Sequence, residues 1–217
     1  MNPSPTLSPN GSDLEKKIRS GRWKLLLVLL VCASPLIFSY FTYYVIKPEA
    51  RTNYGALIDP AAYPIPALGT TTLDGRPASL NDYKGKWIML KVGGSTCDAS
   101  CLEQMYAIRQ LRTMQGKAMD RIERVWLITD KEPLETILIR ELDGVEMLRA
   151  DAQAVQAWLP VAPDAPLTGA IFLVDPLGHL MMRFPAAPKA MPDKEKLAHY
   201  NKVKKDIAKL LKASAIG

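Results

Sequence analysis

The stretch WIMLKVGGSTCDASCLEQM, residues 87–105, contains the pattern that decides the fold. Its apolar first part, Trp87 to Val92, has the length of a buried strand. Two glycines and two cysteines follow, and apolar residues then recur at the spacing of one helix face, namely Leu102, Met105, Ile108 and Leu111. The sequence therefore predicts a buried strand, a turn and an amphipathic helix that begins at about Cys101.

Cys97 and Cys101 are separated by three residues. If both lay inside a regular helix, their Cβ atoms would be about 5–6 Å apart, whereas a disulfide requires about 3.8 Å. A bonded pair therefore needs Cys97 in the turn before the helix, and Gly93 and Gly94 give that turn conformational freedom. A helix amino terminus also favours the thiolate form of Cys97, which attacks disulfides and binds metals. Three interpretations stay open: a redox or metal-binding pair, a structural disulfide, and a pair without function.

The segments around this stretch alternate between strand and helix patterns. The first predicted elements are a hairpin around Asp74–Gly75, a strand in RVWLITD and a helix in PLETILIREL that Pro133 opens. A short helix in DAQAVQAWL follows. The chain then continues with two strands in TGAIFLVDPLGHLMMRF, joined by a turn at Pro176 to Gly178, and ends in a basic carboxy-terminal helix. Strands that alternate with helices and end in a hairpin predict an α/β sandwich with a mixed sheet. We predict one such domain over residues 67–217.

The amino-terminal region carries a predicted membrane span at Leu25–Ile46, 22 residues without a charged side chain. As a helix this segment would measure about 33 Å, and a bilayer core measures about 30 Å. A cleaved signal peptide is the alternative, because the small residues VCA precede Ser34. The apolar sequence continues further than the hydrophobic region of a signal peptide does, so we predict one uncleaved transmembrane helix.

The charges around the span predict its orientation. Basic residues crowd the segment before it and are sparse just after it: Lys16, Lys17, Arg19, Arg22 and Lys24 precede it, and Lys47 and Arg51 follow. By the positive-inside rule, residues 1–24 form a cytoplasmic tail and the chain beyond the span is exported. Residues 47–66 are polar and contain prolines, which predicts a tether to a periplasmic domain. The predicted location is the bacterial inner membrane, crossed once.

The net charge of +6 does not indicate nucleic-acid binding. Part of it is the basic cluster before the span, and part lies on the last predicted helix. There the lysines surround an apolar stripe formed by Leu197, Tyr200, Val203, Ile207, Leu210 and Leu211. The sequence has no basic patch interleaved with aromatic residues. The lipid bilayer is the predicted partner, and nucleic acid is not.

Residues 68–184 resemble the thioredoxin-like superfamily, and the CxxxC spacing is similar to that of the Sco (SenC) copper chaperones of cytochrome c oxidase assembly. LDGRPASLNDYKGKWIMLKVGGSTCDASC follows the Sco order of strand, turn, KGK, strand, glycine and cysteine pair, and IFLVDPLG resembles a later YLxDPxG strand and turn. The resemblance implies oxidase subunits or other assembly factors as partners. Cys97 and Cys101 would then be two thiolate ligands of Cu(I), or the thiol couple that prepares a cysteine copper site for metal.

The sequence departs from the Sco pattern at the third copper ligand. That pattern places a histidine nine residues before the proline of DPxG, where this chain has Leu167. Two thiolates suit Cu(I), whereas Cu(II) prefers nitrogen ligands and a tetragonal geometry. His179 could replace the missing ligand only if its face of the last strand met the cysteines. His199, the other histidine of the chain, is expected at the surface of the basic helix.

Two functional hypotheses follow. In the first, a membrane-anchored periplasmic thioredoxin-like protein assists cytochrome c oxidase assembly by thiol–disulfide exchange or transient Cu(I) handling, with Cys97 as the attacking thiolate and Cys101 as the resolving thiol. In the second, the protein is a noncatalytic membrane-anchored scaffold or accessory protein of the oxidase, and its cysteine pair is structural or inert. The sequence does not decide between an enzyme and a scaffold.

Overall fold

The computed structural model describes residues 11–46, 53–161 and 167–214. The chain divides into two compact units, Met1–Thr52 and Asn53–Gly217. Residues 1–10 of the predicted tail and residues 47–52 of the predicted tether lie outside the described residues.

The first unit contains one long helix, α1 (Gly11–Phe41), which continues as a π-helical turn over Thr42–Ile46. Its segment Gly21–Val45 has 25 residues and a mean hydropathy of 2.2, so it is long and apolar enough to cross a membrane. The predicted span at residues 25–46 falls almost entirely within this segment. The prediction of one helix of this kind is confirmed.

The second unit is built on a seven-stranded mixed sheet with the strand order β1-β7-β6-β3-β4-β5-β2. The strands are β1 (Ala56–Leu57), β2 (Thr71–Thr72), β3 (Trp87–Gly93), β4 (Ile122–Ile128), β5 (Glu146–Arg149), β6 (Ile171–Val174) and β7 (Leu180–Phe184). The central strands β3, β4 and β5 are parallel, and the other neighbouring strands pair in antiparallel fashion. The helices of this unit are α2 (Ala99–Thr113), α3 (Thr136–Glu141), α4 (Ala152–Trp158) and α5 (Asp193–Ala213).

Two hydrophobic cores lie on the two faces of the sheet, because successive side chains of a strand point to opposite faces. Trp87 and Met89 of β3 belong to the core that also contains buried residues of α2 and α5. Ile88 and Leu90 belong to the core that contains buried residues of α4. The predicted α/β sandwich with a mixed sheet is therefore confirmed.

The folded unit of the structure begins at Asn53, whereas the sequence predicts that the domain starts at residue 67. β1 pairs with β7 at the sheet edge, and the Ile58 amide donates to the Met181 carbonyl at 2.9 Å. Asp206 of α5 is 3% exposed, and its carboxylate accepts the amides of Tyr54 at 2.6 Å and Gly55 at 3.0 Å. Residues 53–66 thus supply an edge strand and hydrogen bonds instead of a tether.

His199 is 4% exposed, which contradicts the expected surface position. Its Nδ1 lies 2.6 Å from the hydroxyl of Tyr54, with which it forms a hydrogen bond. The apolar stripe of α5 is also rotated from the predicted one, since Leu197 is 65% exposed whereas Val203, Ile207 and Leu211 are buried. The polar residues His199 and Asp206 take core-facing positions because the segment that begins at Asn53 offers them hydrogen-bond partners.

The burial of His199 predicts a loss of stability in acid. Burial lowers the pKa of His199, with a smaller contribution from the charge of Lys202, whereas a hydrogen bond with the Pro185 backbone opposes the shift. The unfolded chain therefore binds a proton near pH 6.5, where the folded protein does not. The stability that the neutral His199 contributes is fully present above about pH 6.5. It is lost as the pH falls from there through the lower pKa that His199 has in the folded protein. Urea denaturation of the full chain in detergent, at a series of pH values, measures the effect.

The matched variants are His199→Gln and Asn201→Ala, the latter an exposed residue on the same helix. We expect the free energy of unfolding to depend less on pH in His199→Gln than in the wild type. The Asn201→Ala variant should keep the wild-type dependence. An unchanged pH dependence in His199→Gln would contradict the prediction.

Two local predictions differ from the structure in detail, and one strand was not predicted. The helix predicted from Pro133 begins at Thr136, after the extended residue Glu135. Gly75 takes a φ of +81° in the predicted turn, but β2 pairs with β5 as well as bridging to Pro77, so the turn belongs to the edge of the larger sheet. Strand β5 has only four residues and no prediction anticipated it.

Candidate functional site

Cys97 and Cys101 form a disulfide at the carboxyl end of β3. Cys97 lies in the turn before α2, and Cys101 lies in the first turn of that helix, with Cα atoms 5.1 Å apart. Both residues are partly exposed. The predicted position of Cys97 outside the helix is confirmed, and the two sulfurs meet as a bonded pair requires.

The turn that carries Cys97 is fixed to the end of β4. The Thr129 amide donates to the Gly93 carbonyl at 3.0 Å, and the amide of the buried Ser95 donates to Asp130 Oδ2 at 2.8 Å. A Cβ atom at Gly94 would lie only 2.5 Å from the same carboxylate oxygen. The chain passes so close to Asp130 that only glycine fits at this position without displacing the carboxylate.

Asp98 caps α2 between the two cysteines. Its Oδ1 accepts the Cys101 amide at 2.9 Å, and its Oδ2 lies 3.4 Å from the ammonium of Lys189. The hydrogen bond from the Cys101 amide is the main reason why the pKa of Asp98 is lowered. The partial positive charge of the helix end favours a thiolate at the cysteines, whereas the negative charge of Asp98 opposes it.

A cavity of about 470 Å³ opens beside the disulfide. Cys101, Asp98 and Glu103 contribute to one side of its lining, and Lys91 and Tyr200 contribute from β3 and α5. Burial, with a smaller contribution from Glu103, raises the pKa of the Tyr200 hydroxyl to about 12, so this group stays neutral. A partner segment bound in this cavity would lie against Cys101.

Lys91 was not anticipated as a site residue, although it stands in a strand of otherwise apolar residues. It lies two residues after Met89 and therefore points to the same face of the strand, which α2 covers, and it is 2% exposed. Its ammonium donates to Gln104 Oε1 and, at 3.2 Å, to the Thr168 carbonyl. Gln104 in turn donates to the Gly169 carbonyl at 2.8 Å. A lysine inside the predicted strand Trp87–Val92 was the signal that could have identified this network.

His179 does not meet the cysteines. It follows the turn between β6 and β7, and its Nδ1 lies 3.5 Å from Asp175 Oδ1. Val174 is the last residue of β6, next to the turn that leads to His179, and it pairs with Ile88 near the start of β3. The disulfide follows the opposite end of β3. Ile88 and Gly93 at the end of this strand are about 17 Å apart. The proposed role of His179 as a third ligand is therefore wrong.

The described residues contain no group of three histidine, cysteine or acidic side chains that could hold a metal ion. Leu167, which stands where the Sco pattern has its histidine, begins a 3₁₀ turn over Leu167–Gly169. Its apolar side chain packs against the core on the α4 side of the sheet. The two cysteine sulfurs are soft donors of the kind that suits Cu(I).

The fold and the cysteine pair define a thioredoxin-like protein with an amino-terminal helix long and apolar enough to span a membrane. Residues 87–214 match the family model described as "Transmembrane-like, thioredoxin-like, C-terminal domain", and residues 15–45 match "Transmembrane-like, N-terminal domain". The first match covers more than half of the chain, so the chain belongs to this transmembrane-like, thioredoxin-like family.

Solved structures with this fold include Sco proteins, as the sequence resemblance predicted. Apo Sco1 from Thermus thermophilus is 17% identical, with a TM-score of 0.52 and coverage of 75% of this chain and 99% of that chain. A SCO1/SenC family lipoprotein from Bacillus anthracis is 17% identical, with a TM-score of 0.49 and coverage of 71% and 99%. At 17% identity the likeness to the Thermus thermophilus protein establishes the fold alone. No curated protein sequence matches the chain.

Proposed function

We propose that this chain is a membrane-anchored periplasmic thioredoxin-like protein that assists cytochrome c oxidase assembly by thiol–disulfide exchange or transient Cu(I) handling. The observation that carries the proposal is the Cys97–Cys101 disulfide, which is partly exposed at the amino terminus of α2. A partner thiol can reach such a bond, and the helix end stabilises the thiolate that reduction releases. The adjoining cavity offers space for the partner segment.

In the exchange reaction Cys97 is the sulfur that bonds to the partner. Cys101 leaves as a thiolate when a partner dithiol is oxidised, and it resolves the mixed disulfide when a partner disulfide is reduced. Cys97 lies in the turn that precedes the helix, whereas Cys101 lies in the first turn with its amide bonded to Asp98. These roles require one sulfur that bonds to the partner and a neighbouring sulfur that can break that mixed disulfide.

The copper version uses the same two sulfur atoms after reduction. Two thiolates are suitable ligands for Cu(I), which accepts soft donors. They do not make a Sco-type Cu(II) site here, since Leu167 replaces the nitrogen ligand and His179 lies at the far end of β3. Cu(I) would then be cargo that passes through the pair, and the disulfide must first be reduced.

The proposed location is the bacterial inner membrane, with the amino terminus in the cytoplasm and the thioredoxin-like unit in the periplasm. The excess of basic residues before the apolar helix supports this orientation. An oxidising periplasm is consistent with a disulfide between two neighbouring cysteines.

The test is equilibration of the full chain, purified in detergent, with mixtures of reduced and oxidised dithiothreitol. We expect a reduction potential above about −300 mV, because structural disulfides lie below this value and exchanging ones lie above it. A lower potential would overturn the exchange role and favour the noncatalytic scaffold. Anaerobic titration of the reduced chain with Cu(I) separates the two versions, since only copper handling predicts cysteine-dependent binding.

A further inference from the structure

Lys91 lies on the face of β3 that packs against α2. Met89, two residues earlier, lies on the same face and belongs to the hydrophobic core. Burial lowers its pKa to about 8, so the group still carries its charge for most of the time at neutral pH. Within the described ranges no carboxylate forms an ion pair with Lys91. A buried charge of this kind destabilises a fold unless hydrogen bonds and opposite charges compensate for its lost hydration.

The acidic groups at the rim of the cavity are paired with other lysines. Asp98 lies 3.4 Å from Lys189, and Glu103 lies 2.8 Å from Lys196. The remaining titratable group packed against the cavity from α5 is the neutral hydroxyl of Tyr200. Asp98 is the one carboxylate that raises the pKa of Lys91, and its effect is smaller than that of burial. Among the charged residues described in the lining, Lys91 is therefore the one without an ion-pair partner.

The Lys91 ammonium reaches the helix that carries Cys101. Cys101 and Gln104 are three residues apart on α2 and so project from the same side of the helix. Gln104 accepts a hydrogen bond from the Lys91 ammonium, and both Lys91 and Cys101 line the cavity. Gln104 and the Thr168 carbonyl accept two of the three ammonium protons.

We propose that Lys91 is a positioning residue that stabilises the thiolate left on Cys101 by reduction, and thereby makes the cysteine pair a stronger oxidant of a partner dithiol. The inference rests on the thiol–disulfide exchange proposed above. Stabilising the reduced form shifts the equilibrium toward reduction of the pair, because the disulfide itself carries no charge for Lys91 to attract.

In the reaction, a thiolate of the partner dithiol attacks Cys97 Sγ. The bond between the two cysteine sulfurs breaks, and its electron pair leaves on Cys101 Sγ as the thiolate near Lys91. The partner's second thiolate then attacks the partner sulfur of the mixed disulfide and releases Cys97. Two electrons pass from the partner, which becomes a disulfide. Of the two protons lost by its thiols, Cys97 takes one and solvent takes the other.

The experiment uses the full chain in detergent and compares Lys91→Met with the wild type in equilibrium with dithiothreitol. We expect the equilibrium constant for reduction of the pair to fall about tenfold, which corresponds to one pKa unit of lost thiolate stabilisation. The ultraviolet absorbance of the reduced protein, which reports thiolate, should fall in parallel at neutral pH. Methionine removes the buried charge but also the hydrogen bonds to Gln104 and the Thr168 carbonyl, and these opposing effects should leave thermal stability little changed.

A second variant and a control keep the test decisive. Gln104→Glu places a carboxylate against the Lys91 ammonium and should shift the equilibrium in the same direction. Lys117→Met, at an exposed lysine after α2, should match the wild type. Wild-type equilibrium constants in both Lys91→Met and Gln104→Glu would overturn the role of Lys91. If the exchange function itself is absent, the reduction potential of the wild-type protein would lie in the range of structural disulfides. The equilibrium constants of the variants could still be compared with that of the wild type.

Discussion

Replacing both Cys97 and Cys101 with serine is expected to lower the copper content of cytochrome c oxidase in cells severalfold and to abolish thiol–disulfide exchange by the purified protein. Serine preserves the size of the side chain but supplies neither an exchanging sulfur nor a soft ligand for Cu(I). Both versions of the proposed function require these two atoms, so they predict the same loss. The measurements are metal analysis of membranes that contain the oxidase and the rate of dithiol oxidation in detergent.

Cys32→Ser is the matched control, because Cys32 is a free, exposed cysteine in α1. This variant should retain the wild-type copper content and exchange rate. The single replacement Cys101→Ser should trap a mixed disulfide when Cys97 attacks a disulfide-bonded partner, since the resolving thiol is absent. Equal oxidase copper in wild-type cells and in cells with the double replacement would favour the scaffold hypothesis.

Replacing Asp206 with alanine is expected to destabilise the protein by about 3 kcal/mol. The carboxylate accepts the amides of Tyr54 and Gly55, and its loss leaves these donors without their charged partner near the core. For a folded unit of this size the melting temperature should fall by about 6–12 °C. Thermal denaturation of the full chain in detergent, followed by circular dichroism, provides the measurement.

Lys205→Ala is the control for this prediction, because Lys205 precedes Asp206 on α5 and is exposed. Its melting temperature should remain close to that of the wild type. A fall of less than about 2 °C in Asp206→Ala would show that the Tyr54 and Gly55 amides find other partners.

The strand–turn–helix unit at the cysteines could be predicted because all its determinants lie within one continuous stretch. The apolar run of Trp87–Val92, the glycines and the helical spacing after Cys101 each specify one element. Simple geometry then excludes a bonded pair in which both cysteines lie inside the helix. The position of Cys97 therefore followed without any knowledge of the remaining chain.

The burial of polar residues could not be predicted in the same way, because it depends on partners that are distant in sequence. His199 contacts Tyr54, 145 residues earlier in the chain, and Asp206 contacts the same segment. Lys91 contacts Thr168 through a turn whose position depends on the whole sheet. A local pattern interprets such residues as solvent-exposed, since charged and polar side chains are mostly found at surfaces.

Strand β1 escaped prediction for a related reason. Ala56 and Leu57 have no alternating pattern of their own, and their strand geometry comes from pairing with Arg183 and Met182 of β7. A two-residue strand carries too little local preference to be recognised by composition. The proline-bearing sequence around it was therefore interpreted as a tether.

The bond between Cys97 and Cys101 closes a ring of only five residues, with a sequence separation of four. A ring this small contributes about 2 kcal/mol by restricting the unfolded chain, less than a bond that spans a long loop. The sheet and helices are held by their own cores, so we expect the body of the protein to keep one conformation through a full cycle of oxidation and reduction. A partner can then distinguish the two forms only by direct contact at the first turn of α2, and not through a distant change of shape.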